Sequence, residues 1–109
     1  MDQTFSRPIH ITNDNLTGGY YLASREATRI AAFSLKPQEG DVIVTFYDGP
    51  GGQELWGAEA DNASGSHFED FGRYPLLFPN GIYVKVTDDS GANNWDLYLA
   101  VVKPKSSGT

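Results

Sequence analysis

Two apolar, β-prone runs flank a turn signal in the last third of this chain. The run from Arg73 to Phe78 precedes Pro79-Asn80-Gly81, and the run from Ile82 to Thr87 follows it. Asn-Gly between alternating apolar residues is the strongest short-range hairpin signal, because both residues tolerate the positive φ angles of a tight reversal. The sequence therefore predicts that the chain reverses here and that the two runs pair as a hairpin.

The rest of the chain shows similar alternation in short segments bounded by Gly, Pro, Asn and Asp, and no helical apolar stripe. The pattern predicts an all-β chain: a single β-sandwich or jelly-roll-like domain of about 7–8 antiparallel strands, with a small closed barrel as the competing architecture. The segment from Val42 to Tyr47 is apolar on both faces and is expected to be a central strand or to be covered by a neighbouring subunit. Predicted strands cover residues 18–24, 27–36, 41–48, 53–60, 67–71, 82–87 and 95–102, and the first two are expected to pair.

The domain organisation follows from length and composition. A chain of 109 residues forms one domain, and it contains no cysteine for a disulfide, a thiolate nucleophile or a cysteine-based zinc site. We expect an extended N-terminal arm over residues 1–16, the sandwich over residues 17–103 and a short flexible tail over residues 104–109.

The net charge and the N-terminal residues limit which partners and which cellular compartment are expected. Eight Lys and Arg against fourteen Asp and Glu give a net charge of -6, which disfavours nucleic acid as a partner. The start of the chain lacks the basic and apolar regions of a signal peptide, and no run is apolar enough to cross a membrane. A soluble protein made inside a cell is expected.

Groups for catalysis are sparse, and no catalytic residue is assigned. His10 and His67 are the two histidines, and Ser64-Gly-Ser-His67 lacks the strand-turn-helix context of a nucleophile elbow. Scattered carboxylates are expected to be solubilising surface charge rather than a glycosidase pair. We expect no enzyme activity and no cofactor.

One loop contains residues that are suited to binding a metal ion. The segment from Asp88 to Asp96 places several oxygen-bearing side chains close together, and calcium is bound by six to eight oxygen ligands. The spacing does not match an EF-hand, and Asp, Asn, Ser and Gly are also ordinary turn residues. No metal site is assigned, and the sequence alone does not separate the two interpretations.

Aromatic residues are numerous, and alternation cannot bury all of them in one core. Exposed Tyr and Trp can stack on sugars or anchor a protein interface, although both faces of several strands can also simply be covered. The residues concerned are Tyr20, Tyr21, Trp56, Trp95 and Tyr98.

Three segments together resemble small virion proteins of tailed bacteriophages. They are Val42-Ile-Val-Thr-Phe-Tyr-Asp-Gly49, Phe78-Pro-Asn-Gly-Ile-Tyr-Val84 and the closing Asp96-Leu-Tyr-Leu-Ala-Val-Val102. Such proteins include capsid decoration, or cement, proteins, which bind the assembled head as trimers and bridge its capsomers. The resemblance covers about residues 18 to 103.

This resemblance implies a structural virion protein on the outer capsid surface, made in the host cytoplasm. Its partners would be the major capsid protein and two further copies of the chain, with no nucleic acid, membrane or small-molecule substrate. The arm would contact a neighbour through Phe5, Pro8, Ile9 and Ile11, and subunit contacts would involve Tyr20, Tyr21, Tyr47 and Tyr98.

Alternatives remain open at this point. A carbohydrate-binding β-sandwich module also accounts for the aromatic residues, and another head-tail, neck or tail accessory protein also accounts for the resemblance. A small enzyme or a calcium-dependent sandwich domain remains as a further interpretation.

Overall fold

A computed structural model describes residues 4–5 and 8–103, and it is an all-β sandwich of two antiparallel sheets, as predicted. One turn of 3-10 helix, Asn13–Asn15, lies between the second and third strands. The strands are β1 (Thr4–Phe5), β2 (Ile9–Ile11), β3 (Tyr20–Ser24), β4 (Thr28–Pro37), β5 (Val42–Asp48), β6 (Glu54–Ala60), β7 (His67–Asp70), β8 (Leu76–Phe78), β9 (Ile82–Asp88) and β10 (Trp95–Lys103).

Sheet B has the strand order β3-β9-β5-β6. The run from Val42 to Tyr47 is confirmed as an interior strand, because β5 pairs with β9 on one side and with β6 on the other. Val44 and Phe46 of this strand are fully buried, whereas Ile43 is directed to the outer face and is 46% exposed. Alternate residues of one strand point to opposite faces of a sheet, so β5 contributes to the core and to the outer surface.

Sheet A is built around β4 and β10, which pair along most of their length. The far side of β10 pairs with β1 and β2, and the far side of β4 pairs with β7 and β8. Phe33 of β4 meets Phe46 of sheet B edge-to-face, with ring centroids 5.1 Å apart. This contact lies between the two inner faces, where the apolar residues of both sheets form one core.

The predicted hairpin around Asn80-Gly81 is wrong, although the chain does turn there. Strand β8 pairs with β4 in sheet A, and β9 pairs with β3 and β5 in sheet B. The amide of Gly81 donates to the carbonyl of Phe78 at 3.2 Å, which places Pro79 and Asn80 at the two central positions of the turn. Proline favours the first of these positions, so the turn directs the chain from one sheet to the other.

Gly81 is required at this crossing for two reasons. Its φ is +98°, and a Cβ there would lie 2.3 Å from the carbonyl oxygen of Ser24. The left-handed region penalises residues with a Cβ, and the contact itself is too short for any side chain. The sequence therefore predicted the glycine-dependent turn correctly, but it predicted the wrong pairing for the two flanking strands.

The expected pairing of the first two predicted strands is also wrong. Strand β3 pairs with β9 in sheet B, whereas β4 lies in sheet A. Among consecutive strands, β5 and β6 do pair with each other, across the Gly-Pro-Gly-Gly turn. Most other connections cross between the sheets, and such pairings depend on contacts far apart in sequence.

Asp48 and Asn80 connect two turns that are distant in sequence. The amide nitrogen of Asn80 donates to Oδ1 of Asp48 at 2.7 Å, and Nδ2 of Asn80 donates to Oδ2 at 2.9 Å. The amide of Gly49 also donates to the carbonyl of Gly81 at 3.0 Å. We call this set the Asp48–Asn80 clamp; it joins the end of β5 to the crossing between the sheets.

Candidate functional site

Strand β7 directs polar side chains toward the inside of the sandwich and an apolar side chain outward, the reverse of the strands that form the core. In the pairing with β4, His67 lies opposite Leu35 and Glu69 lies opposite Phe33, and both Leu35 and Phe33 point into the core. His67 and Glu69 are therefore on the inner side of the sheet, and Nε2 of His67 lies 3.3 Å from Oε1 of Glu69. Phe68, which lies between them, points outward and is 65% exposed.

This arrangement leaves a large apolar side chain in water. Burying a phenylalanine side chain is favourable by about 1.5–3 kcal/mol. If the pairing of β7 with β4 were shifted by one residue, Phe68 would lie on the inner face. The observed register therefore leaves the burial free energy of Phe68 unrealised. The strand predicted at residues 67–71 is present as β7, which pairs with β4 and borders sheet A.

Phe68 forms one wall of a groove on the outer face of sheet A. Ser34 of β4 lies opposite Phe68 on one side and opposite Tyr98 of β10 on the other. Adjacent strands are about 4.8 Å apart, so the two aromatic residues stand about 10 Å apart across a small residue. The cavity between them is about 160 Å³, and Pro8, Ala32 and Ala100 also line it. We call this cavity the Phe68–Tyr98 groove.

The ring of Tyr98 packs against neighbouring side chains at the groove. Its ring is stacked on the imidazole of His10, with centroids 4.4 Å apart and planes at 4°. Nε2 of His10 lies 2.8 Å from Oδ1 of Asp96, and Nε2 of Gln38 donates to Oδ2 of Asp96 at 3.2 Å. The ammonium group of Lys36 lies 5.9 Å from the centre of the Tyr98 ring, so the ring contacts a cation as well as the imidazole.

The predicted arm residues occupy different environments. Pro8 is exposed and lines the groove, whereas Ile9 packs partly against the core and Ile11 is fully buried within it. Ile11 is buried because β2 pairs with β10 and directs it inward, so its side chain is not available to a partner. The side chain of Phe5 and the predicted tail over residues 104–109 lie outside the described residues.

The four predicted interface tyrosines are also separated. Tyr98 lies on the outer face of sheet A, and Tyr21 packs against the core. Tyr20 and Tyr47 lie together on the outer face of sheet B, where Tyr83 joins them. Phe68 and Tyr83 were not among the contact residues predicted from the sequence; for Phe68 the available signal was an apolar residue flanked by His67 and Glu69.

The Asp88–Asp96 loop uses its buried carboxylate internally. Oδ1 of Asp88 accepts from the amide and the hydroxyl of Ser90, at 3.0 and 2.8 Å, and Oδ2 accepts from the amide of Asn94 at 3.2 Å. Burial raises the pKa of Asp88, but the hydrogen bonds from the Ser90 side chain and from the amides of Ser90, Asn94 and Asn93 outweigh it, and the pKa is lowered. The carboxylate thus organises the loop.

Metal-binding clusters and membrane-spanning helices are two further features that bear on function. Over residues 4–5 and 8–103 there is no group of three or more His, Asp or Glu side chains that could hold a metal ion. The same residues include no helix long and apolar enough to span a membrane.

Comparison of the chain with protein-family models, curated proteins and solved structures found no match.

Proposed function

We propose that this protein is a structural virion protein of a tailed bacteriophage, and specifically a capsid decoration protein that docks on the head through the Phe68–Tyr98 groove. The observation that carries the proposal is the outward position of Phe68 in a strand whose polar residues face inward. A side chain held in water against its burial free energy is expected where a partner covers it.

The groove has the features of an anchor site for a protein partner. Its aromatic walls are large, and its floor of Ala32, Ser34 and Ala100 leaves room for an inserted apolar side chain. Interfaces derive most of their binding free energy from a few buried aromatic or arginine contacts near the centre, surrounded by a polar rim. Asp70 of β7 and the His10–Asp96 pair supply such a rim next to the groove.

The role needs no catalytic group. A decoration protein bridges capsomers, and the additional buried area opposes the outward pressure of packaged DNA. A standard interface buries about 1,600 Å², so the groove would be the centre of a larger contact with the major capsid protein. A homotrimer would place three such grooves on one shell site, which multiplies the apparent affinity.

Particle composition tests this function. Particles of the source phage are banded in a density gradient, and the ratio of this chain to the major capsid protein is measured by quantitative mass spectrometry in each fraction. A constant ratio across the band of DNA-filled heads is expected. A chain that stays in the soluble fraction, or that bands only with tails, would contradict a decoration role.

A further inference from the structure

A second pocket lies on the other side of the sandwich, on the outer face of sheet B. Tyr20 of β3, Tyr47 of β5 and Tyr83 of β9 line it, together with Gly51 and Gly52 of the β5–β6 turn. Its volume is about 260 Å³, slightly below the range of drug-sized ligand sites. We call it the tyrosine pocket. It has no residue in common with the Phe68–Tyr98 groove.

The ring geometry limits what the pocket can hold. The rings of Tyr20 and Tyr83 are stacked, with centroids 5.1 Å apart and planes at 11°. A flat ligand inserted between two rings needs a separation of about 7 Å, twice the usual contact distance, so none enters this stack. Tyr47 is tilted by 48° to Tyr20 and by 59° to Tyr83, which makes it a second wall at an angle to the stacked pair. The pocket is therefore a corner formed by aromatic surfaces.

The charges around the pocket favour an uncharged ligand. None of its five lining residues carries a charged side chain. The ammonium group of Lys85 lies 5.8 Å from the centre of the Tyr20 ring, so a ligand cation would meet a like charge at that ring. The nearby Asp48 is engaged by both nitrogens of Asn80 in the clamp. A cationic ligand is thus disfavoured, and the lining itself has no charged side chain that could pair with an ionic ligand.

We propose that the tyrosine pocket binds one unit of a neutral saccharide. A pyranose ring combines an apolar C–H face with a rim of hydroxyl groups, and it matches a site with angled aromatic walls. The walls provide stacking surface, and each tyrosine hydroxyl both donates and accepts hydrogen bonds. The pocket lies on the opposite face of the sandwich from the docking groove, so saccharide binding does not depend on the proposed capsid role.

The test is a titration followed by two-dimensional amide NMR. The probes are soluble oligosaccharides of glucose, galactose, mannose and N-acetylglucosamine, with choline and a proline-rich peptide as comparison ligands. At least one neutral saccharide is expected to shift the amide signals of Tyr47, Gly51 and Tyr83, with a Kd of about 1 mM. No saccharide response, stronger binding of choline or of the peptide, or shifts located at the Phe68–Tyr98 groove would overturn the proposal.

Variants show whether binding occurs at the rings. Tyr47→Ala is expected to weaken saccharide binding about three- to tenfold. Tyr74→Ala is the matched control, because Tyr74 is 79% exposed and lies outside the pocket lining. Thermal unfolding of each variant shows whether the fold is retained. Unchanged affinity in folded Tyr47→Ala would overturn the proposal.

Discussion

The Asp48–Asn80 clamp gives a stability prediction that can be worked from its distances. Asp48→Ala removes two hydrogen bonds to a charged acceptor, at 2.7 and 2.9 Å. Each such bond contributes about 1.5–3 kcal/mol when it is well shielded, and Asp48 is half-buried with an exposed partner. Solvent competition reduces this contribution, so we expect a loss of about 2 kcal/mol in the free energy of unfolding.

Equilibrium urea unfolding measures this loss directly. The midpoint is expected to fall while the m-value stays constant, because the surface exposed on unfolding is unchanged. A loss of this size corresponds to a fall in Tm of roughly 8–10 °C in a domain of this length. The companion variant Asn80→Ala keeps the backbone bond to Oδ1 and loses the side-chain bond, so its expected loss is smaller, about 1 kcal/mol.

A control separates the clamp from a general effect of removing acidic residues. Oδ1 of Asp70 accepts one local bond, from the amide of Gly72 at 2.8 Å, and Asp70 is exposed. Asp70→Ala is expected to cost less than about 1 kcal/mol. If Asp48→Ala destabilises the domain no more than Asp70→Ala does, the clamp does not stabilise the crossing between the sheets.

Two further predictions concern the loop that follows β9. The lowered pKa of Asp88 means that its stabilisation is fully present above the ordinary value of 3.8 and is lost as the pH falls through the folded-state pKa. The difference in unfolding free energy between the wild type and Asp88→Asn should therefore be constant near neutral pH and shrink below pH 3.8, and a difference that stays constant down to pH 2 would contradict the assignment. Calcium is expected to leave Tm unchanged, because both oxygens of Asp88 already accept hydrogen bonds within the loop. A site occupied at one hundred times its Kd would add about 2.7 kcal/mol, so a rise in Tm that a chelator reverses would show that calcium binds.

Local patterns in the sequence predicted the strands well. The apolar run from Val42 to Tyr47 predicted a central strand, and β5 is an interior strand of sheet B. These features depend on residues within one strand, where the side-chain period is two. The prediction of an all-β sandwich required no knowledge of which strands pair.

Strand partners could not be predicted in the same way. Pro79-Asn80-Gly81 indicates a reversal, but whether β8 continues into a hairpin depends on Thr28 to Ile30, which pair with it from about fifty residues away. The position of Phe68 was missed for a related reason. The inner face of β7 is set by its pairing with β4, and no local pattern in the sequence reports that register.

The candidate site was therefore predicted in part. Pro8 and Tyr98 were proposed as contact residues from the sequence, and the fold brings both to one groove. Tyr21 and Ile11 were also proposed, but their strands direct both side chains inward, so Tyr21 packs against the core and Ile11 is fully buried in it. Composition identified an excess of aromatic residues without indicating which ones remain exposed.

Binding of Phe68→Ser to heads that lack this chain tests the central proposal most directly. For a decoration protein, such heads are assembled from the major capsid protein that the same genome would encode, purified chain is added, and the bound fraction is measured by co-sedimentation. Phe68→Ser is expected to keep the wild-type Tm within a few degrees and to lose most of its binding, whereas the control Tyr74→Ser, at a still more exposed aromatic residue, should bind as the wild type does. Undiminished binding by folded Phe68→Ser would contradict docking through the groove.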